Sequence, residues 1–508
     1  MSQTLLDEEH LNFLGDETEI AFGLDIEMTS LCMACEKGDL EIVKKLITSN
    51  ASINTDYDFN IPLHLASENG HLEIVKVLIA SDALLDKADD NNEILYDGET
   101  ALYIASRRGH LEIVKVLIAA GALCDKGNED GYTPLCAASM NGHLEIVKVL
   151  IASGALLDKA SNSGKTPLYI ASDGGQLEVV KVLIASGALL DKADNCGWIP
   201  LYRASYAGHL EIVKVLIASG ALLDKASNSD STPLYVASFR GHLEIVKVLI
   251  ASGALLDKGN EDGMTPLYIA SRRGHLEIVK VLIAAGALCD KATNYGYTPL
   301  CAASMNGQLE VVKVLIASGA LLDKGNEVGM TPLLEASLYG YLEIVKVLIA
   351  SGAILDKATN YGNTPLCAAS MNGQLEVVKV LIASGALLDK GNEVGMTPLL
   401  KASKSSHLEI VKVLIAYGAY VDCKNNEGET PVDICGNDEA TKIFILKEIC
   451  WSRRRLLILT RPHDDHKTNK QHKLKPLGEI ITAISDTTNP SSEDSILYQL
   501  KMKISKFL

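Results

Sequence analysis

Large aromatic side chains are scarce: they make up 5% of the 508 residues, with 6 Phe and 2 Trp, so the interior is not built on aromatic packing. Long apolar runs are missing too. No stretch of 18 apolar residues occurs, and no basic start precedes an apolar segment, which argues against a membrane span and a secretory leader. The first 28 residues hold eight acids and no Lys or Arg, the reverse of a leader. Positive charge is in short supply overall, 47 Lys and Arg against 64 Asp and Glu for a net charge of −17. That balance excludes a general nucleic-acid or anionic-lipid surface and suits basic partners better. Residues 451–508 are the exception, with 11 basic residues against 6 acidic ones, so a tail near +5 follows a body near −22.

A disulfide framework is excluded as well, because 11 cysteines are spread over a long chain and five of them fall at two recurring places. Cys136, Cys301 and Cys367 share one place, Cys124 and Cys289 the other; all read as small buried hydrophobes in a reducing compartment. Cys32 and Cys35 form a single Cys-x-x-Cys with no second pair at zinc spacing, which favours core packing over a metal.

What is abundant is repetition. The Thr-Pro-Leu triplet, or a close variant, begins at 100, 133, 166, 199, 232, 265, 298, 331, 364, 397 and 430, always 33 residues apart. Weaker copies start at Thr29 and Ile61, and six extra residues near Asp89 to Tyr96 lengthen the step to Thr100, making 13 units. Eleven of the 14 prolines follow the first residue of a unit.

Each unit reads as two helices and a turn. In the specimen, Thr265 supplies a hydroxyl N-cap, Pro266 fits the first helical position, and Leu267, Ile269 and Ala270 give a short apolar face. Gly274 allows the left-handed stop. His275 then opens a second helix with Leu276, Ile278, Val279 and Leu282 apolar, ended by Gly286. The stretch Gly259-Asn260-Glu261-Asp262-Gly263 reads as a hairpin-like finger between units. A single unit cannot bury its own apolar face, so neighbours must stack around one continuous core, at about 10 Å per layer and on the order of 130 Å in all.

These features resemble the ankyrin repeat, with its Thr-Pro-Leu-His-x-Ala and Gly-His-Leu-Glu-Ile-Val. They stand here as Thr133-Pro134-Leu135-Cys136-Ala137-Ala138 and Gly142-His143-Leu144-Glu145-Ile146-Val147. The resemblance implies an all-α ankyrin-repeat solenoid, elongated and curved, with a helix-turn-helix and a β-hairpin finger per repeat. It spans 29–450, between an acidic segment at 1–28 and the basic tail at 451–508. The His after Leu is kept only at His64 and gives way elsewhere to Tyr169, Cys301, Leu334 and their like, removing hydrogen bonds the family makes between repeats. A second His, at His71, His110, His143, His209, His242, His275 and His407, is expected to stitch loop to helix, with Gln176, Gln308, Gln374 and Tyr341 as replacements. Glu277 and Lys280, three apart, are a surface ion pair rather than a catalytic dyad.

The second helix hardly varies between units, whereas two other places do. One is the residue before the cap: Tyr132, Lys165, Trp198, Met264, Tyr297 and Met330. The other is the end of the first helix: Arg107, Arg108, Tyr206, Phe239, Arg240, Arg272, Arg273 and Tyr339. In the ankyrin architecture both sets line the concave side, and aromatics, Met and Arg are the composition of interface anchors. Drift of tolerant surface positions is the alternative. Residues 298–330 and 364–396 are identical, so surfaces have been copied wholesale.

The reading is therefore an intracellular, cytoplasmic or nuclear, monomeric scaffold. It binds a protein partner on the concave face and uses no nucleic acid, membrane insertion, cofactor or metal. No phosphate-binding glycine loop, nucleophile elbow or kinase set occurs. The alternatives both use the tail. A ubiquitin-ligase recruiting role through 451–508 follows from the family's habits, although no F-box or SOCS box aligns. An enzyme built on His463, His466 and His472 is the third reading. A closing helix over Asn437 to Cys450, a basic segment from Trp451 to Leu459, and an amphipathic helix from Ser491 to Leu508 complete the expectations.

Overall fold

Helices of seven to nine residues are too short to stand alone in water, so their stability must come from packing. The structure, a computed structural model, describes residues 30–54, 61–88 and 98–459, and among them every regular element is a helix. Contacts divide the chain into two compact units, one reaching Pro266 and including Ala284–Ala287, the other holding Leu267–Ile283 and everything from Leu288 onward.

In the first unit the helix pairs follow the 33-residue frame, for example Pro134–Met140 with Leu144–Ala152 and Pro167–Asp173 with Leu177–Ala185. Each first helix starts as its sequence demands. The Thr133 hydroxyl accepts from the Cys136 amide at 3.2 Å, Pro134 takes the first helical position where no N–H is needed, and Thr100, Thr166 and Thr232 repeat the cap. Ile199 has no hydroxyl and makes no such bond. First helices pack on the first helices of neighbouring repeats as well as on their own second helix, and Pro134 to Ser139 are wholly buried. Alanines such as Ala137 and Ala138 let those helices approach closely, which is how a core with few aromatics closes. Second helices bury one face only. Ile146, Val147 and Leu150 are 0–2% exposed, and each such side chain contributes about 1.5–3 kcal/mol. On the outer face Lys148 pairs with Glu145 at 2.6 Å.

The second unit repeats this pattern, with Pro299–Met305 and Leu309–Ala317, Pro332–Tyr339 and Leu342–Ala350, and so on to Leu408–Ala416. The expected pair Glu277 and Lys280 is present at 2.7 Å, with side chains 61% and 46% exposed, so it adds little to stability. The stack ends differently. Thr430 and Asp433 form a reciprocal capping box on the short helix Pro431–Ile434, and a 21-residue helix, Glu439–Leu459, packs on it and on Leu408–Ala416 with Thr441 and Ile445 buried. That helix runs without a break past Cys450, where the sequence suggests a boundary.

Three expectations are refined. The finger is a hydrogen-bonded turn rather than a pair of strands: Gly131 N–H donates to the Asn128 carbonyl at 2.8 Å and Asn128 N–H to that of Tyr132 at 3.0 Å, with no ladder beyond. Cys124 and Cys289 are half-buried, since they sit at the rim of the loop after the second helix, whereas Cys136, Cys301 and Cys367 are 0–1% exposed. The lost His after Leu is compensated in part. His64 Nε2 bonds the Lys87 carbonyl at 3.0 Å, and the thiols of Cys301 and Cys367 point at the matching carbonyls of Lys324 and Lys390 at 3.4 and 3.6 Å. The insertion at 89–96, the segment at 1–28, the His463 to His472 cluster and the helix expected at 491–508 lie outside the described residues.

Candidate protein-binding surface

Asx chemistry holds the fingers in place. Asn128 Oδ1 accepts from the Tyr132 amide at 2.8 Å, and Gly131 supplies the positive φ of 79° that the turn requires. Each finger then clasps the next, because Asn162 donates from its backbone to Asp130 at 2.8 Å and from its side chain to Glu129 at 2.6 Å. Asn195 and Asn228 do the same to their predecessors. The side chain just before each cap, Tyr132, Lys165 or Trp198, is therefore carried on a rigid row.

Within the first unit this row meets the ends of the first helices at one cluster. Trp198 stacks on Tyr202 with ring centroids 5.7 Å apart and an interplanar angle of 8°. Arg203 lies over Trp198 at 5.3 Å and over Tyr206 at 4.8 Å, and Arg240 covers Tyr206 at 4.6 Å, so one tyrosine ring lies against two guanidinium groups. Arg203 is fixed from behind by Asp173, whose Oδ1 accepts from Nε at 3.0 Å and Nη2 at 2.5 Å. Trp198 is fixed by Asp194, which accepts its amide at 2.9 Å and the Tyr169 hydroxyl at 3.0 Å. Burial pushes the Tyr169 hydroxyl well above its ordinary range and the Tyr202 hydroxyl up to about 12, so both rings stay neutral. Tyr132 and Trp198 both pack on Cys136, Tyr169 and Ile170.

The other candidates are placed as follows. Arg107 and Arg108 are engaged by acids, Arg107 with Glu99 at 3.0 Å and Arg108 with Glu68. Met264 touches the Tyr235 hydroxyl through its sulfur at 4.0 Å, and Phe239 is half-buried one residue before Arg240. Lys165 is half-buried and joins none of these groups. In the second unit Arg272 and Arg273 are exposed, Tyr297 and Met330 are half-buried, and Tyr339 is 49% exposed with its ring 6.3 Å from that of Tyr341.

Tyr202, Arg203, Asp173 and Asp194 were not legible as anchors. Arg203 alone carried a signal, since it occupies a place held by Ile104, Ala137, Ile170 and Val236 in neighbouring units. The structure adds a further row: Leu156, Leu189, Leu222 and Leu255 are 55–58% exposed, each with its amide donated to an aspartate such as Asp125 in the previous repeat, at 2.9–3.0 Å.

Among the described residues no three His, Cys, Asp or Glu side chains gather as a metal group, and no helix is long and apolar enough to cross a membrane. Burial, with Cys32 adding, pushes the Cys35 thiol up to about 12, and burial raises Cys301 to about 11, so neither is a ready nucleophile.

Tandem helix pairs joined by clasped fingers define a helical-repeat solenoid. The family described as ankyrin repeats (3 copies) matches residues 13–89, 31–128, 82–161, 120–194, 185–258, 253–325 and 319–392, and that described as ankyrin repeats (many copies) matches 385–435. The chain belongs to the ankyrin-repeat family. A crystal structure of the human ASB11 ankyrin repeat domain is similar at 30% identity, covering 43% of this chain and 98% of that one, with a TM-score of 0.41. Comparison with curated protein sequences yields no match.

Proposed function

We propose that the chain is a non-enzymatic scaffold that grips a protein partner on the face formed by its fingers and first helices. The observation that carries this reading is the preassembled group Trp198, Tyr202, Arg203, Tyr206 and Arg240. Asp173 fixes the Arg203 guanidinium, Asp194 the backbone of Trp198, and the rings and guanidinium groups stack on one another before any partner arrives, which lowers the entropy lost on binding. Such residues dominate interface energetics, and they stand where ankyrin repeats are expected to be concave.

A photo-crosslinking amino acid at Tyr206, compared with one at Lys280 on a second helix, tests the placement in cells. Protein adducts from position 206 alone, abolished by Arg240→Ala in a chain whose helical circular dichroism is unchanged, are the expected outcome. Adducts from Lys280 alone, or adducts indifferent to Arg240, overturn it.

A further inference from the structure

Counting each Thr as the first residue of its repeat, the fifth position is apolar in most repeats, for instance Ile269, Ala302 and Ala368 in the second unit. Besides Arg203 in the first unit, two residues in the second unit break the rule. Lys401 is half-buried and directs its ammonium to the Met371 sulfur at 3.9 Å. Glu335 is 2% exposed. Its backbone amide bonds the Thr331 carbonyl at 2.9 Å, but among the described residues no hydrogen bond or ion pair reaches its carboxylate.

The surroundings of this carboxylate come from the preceding repeat. Tyr297, on the finger, and Cys301, in the first helix, both feel its charge: burial pushes each upward, and Glu335 adds to it. Tyr339 lies one turn beyond Glu335 on the same helix, Pro332–Tyr339, and also acts on Tyr297. Burial likewise raises Glu335 itself, to about 7. A buried acid with no counter-ion thus stands between Tyr297 on the preceding finger and Tyr339 one turn along its own helix, on the face proposed above for binding. Burying an unpaired carboxylate is costly, and a cation brought from outside would remove that cost.

We propose that Glu335, with Tyr297 and Tyr339, receives an arginine or lysine side chain from a protein partner. The carboxylate offers two acceptors for a guanidinium fork, and the tyrosine rings offer faces for the cation. The net charge of −17 favours approach of a basic segment. This assignment rests on the scaffold reading and adds the chemistry of one partner contact.

The test pans a phage-displayed library of random linear peptides on the full chain. Enriched peptides are expected to carry Arg or Lys at one fixed position. A synthetic copy should lose at least about thirty-fold in affinity to Glu335→Gln, or when its arginine is replaced by neutral citrulline. Glu335→Ala, checked for intact helicity, should lose as much. Peptides without a fixed cation, or with equal affinity for Glu335→Gln, overturn the assignment. If such peptides still lose binding to Tyr297→Ala or Tyr339→Ala, the scaffold reading survives without it. Peptides indifferent to all three residues, or no enrichment at all, overturn the assignment together with the use of this face in the second unit.

Discussion

Glu335 makes folding depend on pH in a direction opposite to that of most carboxylates. Burial raises it from the ordinary 4.5 to about 7 in the folded chain, so the unfolded chain releases the proton first. Stability is complete below about 4.5, falls as pH rises toward 7, and is lower by up to about 3 kcal/mol above it. Urea denaturation at several pH values should show this slope as the difference between wild type and Glu335→Gln, which has no proton to lose; parallel profiles would contradict it. A quieter residue-scale feature is the serine column. Ser139, Ser172, Ser205, Ser238, Ser304, Ser337 and Ser370 are 0% exposed, and their hydroxyls find no hydrogen-bond partner among the described residues. Ser238→Ala should therefore stabilise the protein by about 1 kcal/mol, read from the denaturation midpoint. A loss of stability would show that the hydroxyl is satisfied.

Helices in this chain are joined across repeats by an interlock of glycine and histidine. Gly109 ends its helix at φ 90°, and the His143 ring of the next repeat lies over it, with Nε2 bonded to the Arg107 carbonyl at 3.0 Å; a Cβ at Gly109 would stand 2.7 Å from that ring. Gln374 keeps a bond of this kind, to Leu338, at 3.4 Å. Gly121, which ends the second helix at φ 99°, has open space around it. Gly109→Ala should accordingly cost more than Gly121→Ala, which bears only backbone strain of about 1–2 kcal/mol. Gly274→Val, at φ 78° and facing the Gln308 side chain, should cost a few kcal/mol in thermal unfolding. The sequence displays the period, the Thr caps, the prolines and these glycines because each acts within a few residues of itself. It conceals what lies one repeat away. The carbonyl that meets His143 is 36 residues earlier, and the Asp173 that fixes Arg203 is 30 residues earlier. A repeating frame names the position of a side chain but not its neighbour across the stack. Glu335 was visible as a letter in the frame, yet its isolation became apparent only once Tyr297 and Cys301 were placed beside it.

At the scale of the molecule, the links between the 33-residue repeats keep one phase. In the second unit Asp290 holds the amide of Leu321, Asp323 that of Ile354, Asp356 that of Leu387 and Asp389 that of Tyr420, each 31 residues on. Stability is then a sum over repeats and their junctions. Removing residues 364–396 should leave a folded chain, because Asp356 then meets Tyr420 and Gly340 meets His407 in the registers they expect. Circular dichroism per residue should be unchanged, whereas removing 364–385 should abolish cooperative unfolding of the second unit. The same phasing bears on inheritance. Since 298–330 and 364–396 are identical, misaligned recombination between the two stretches inserts or excises whole repeats and never parts a donor from its acceptor. A gene of this kind can change the length of its product in one event without passing through a misfolded ancestor, and each gained repeat arrives as a spare surface on which new specificity can be selected.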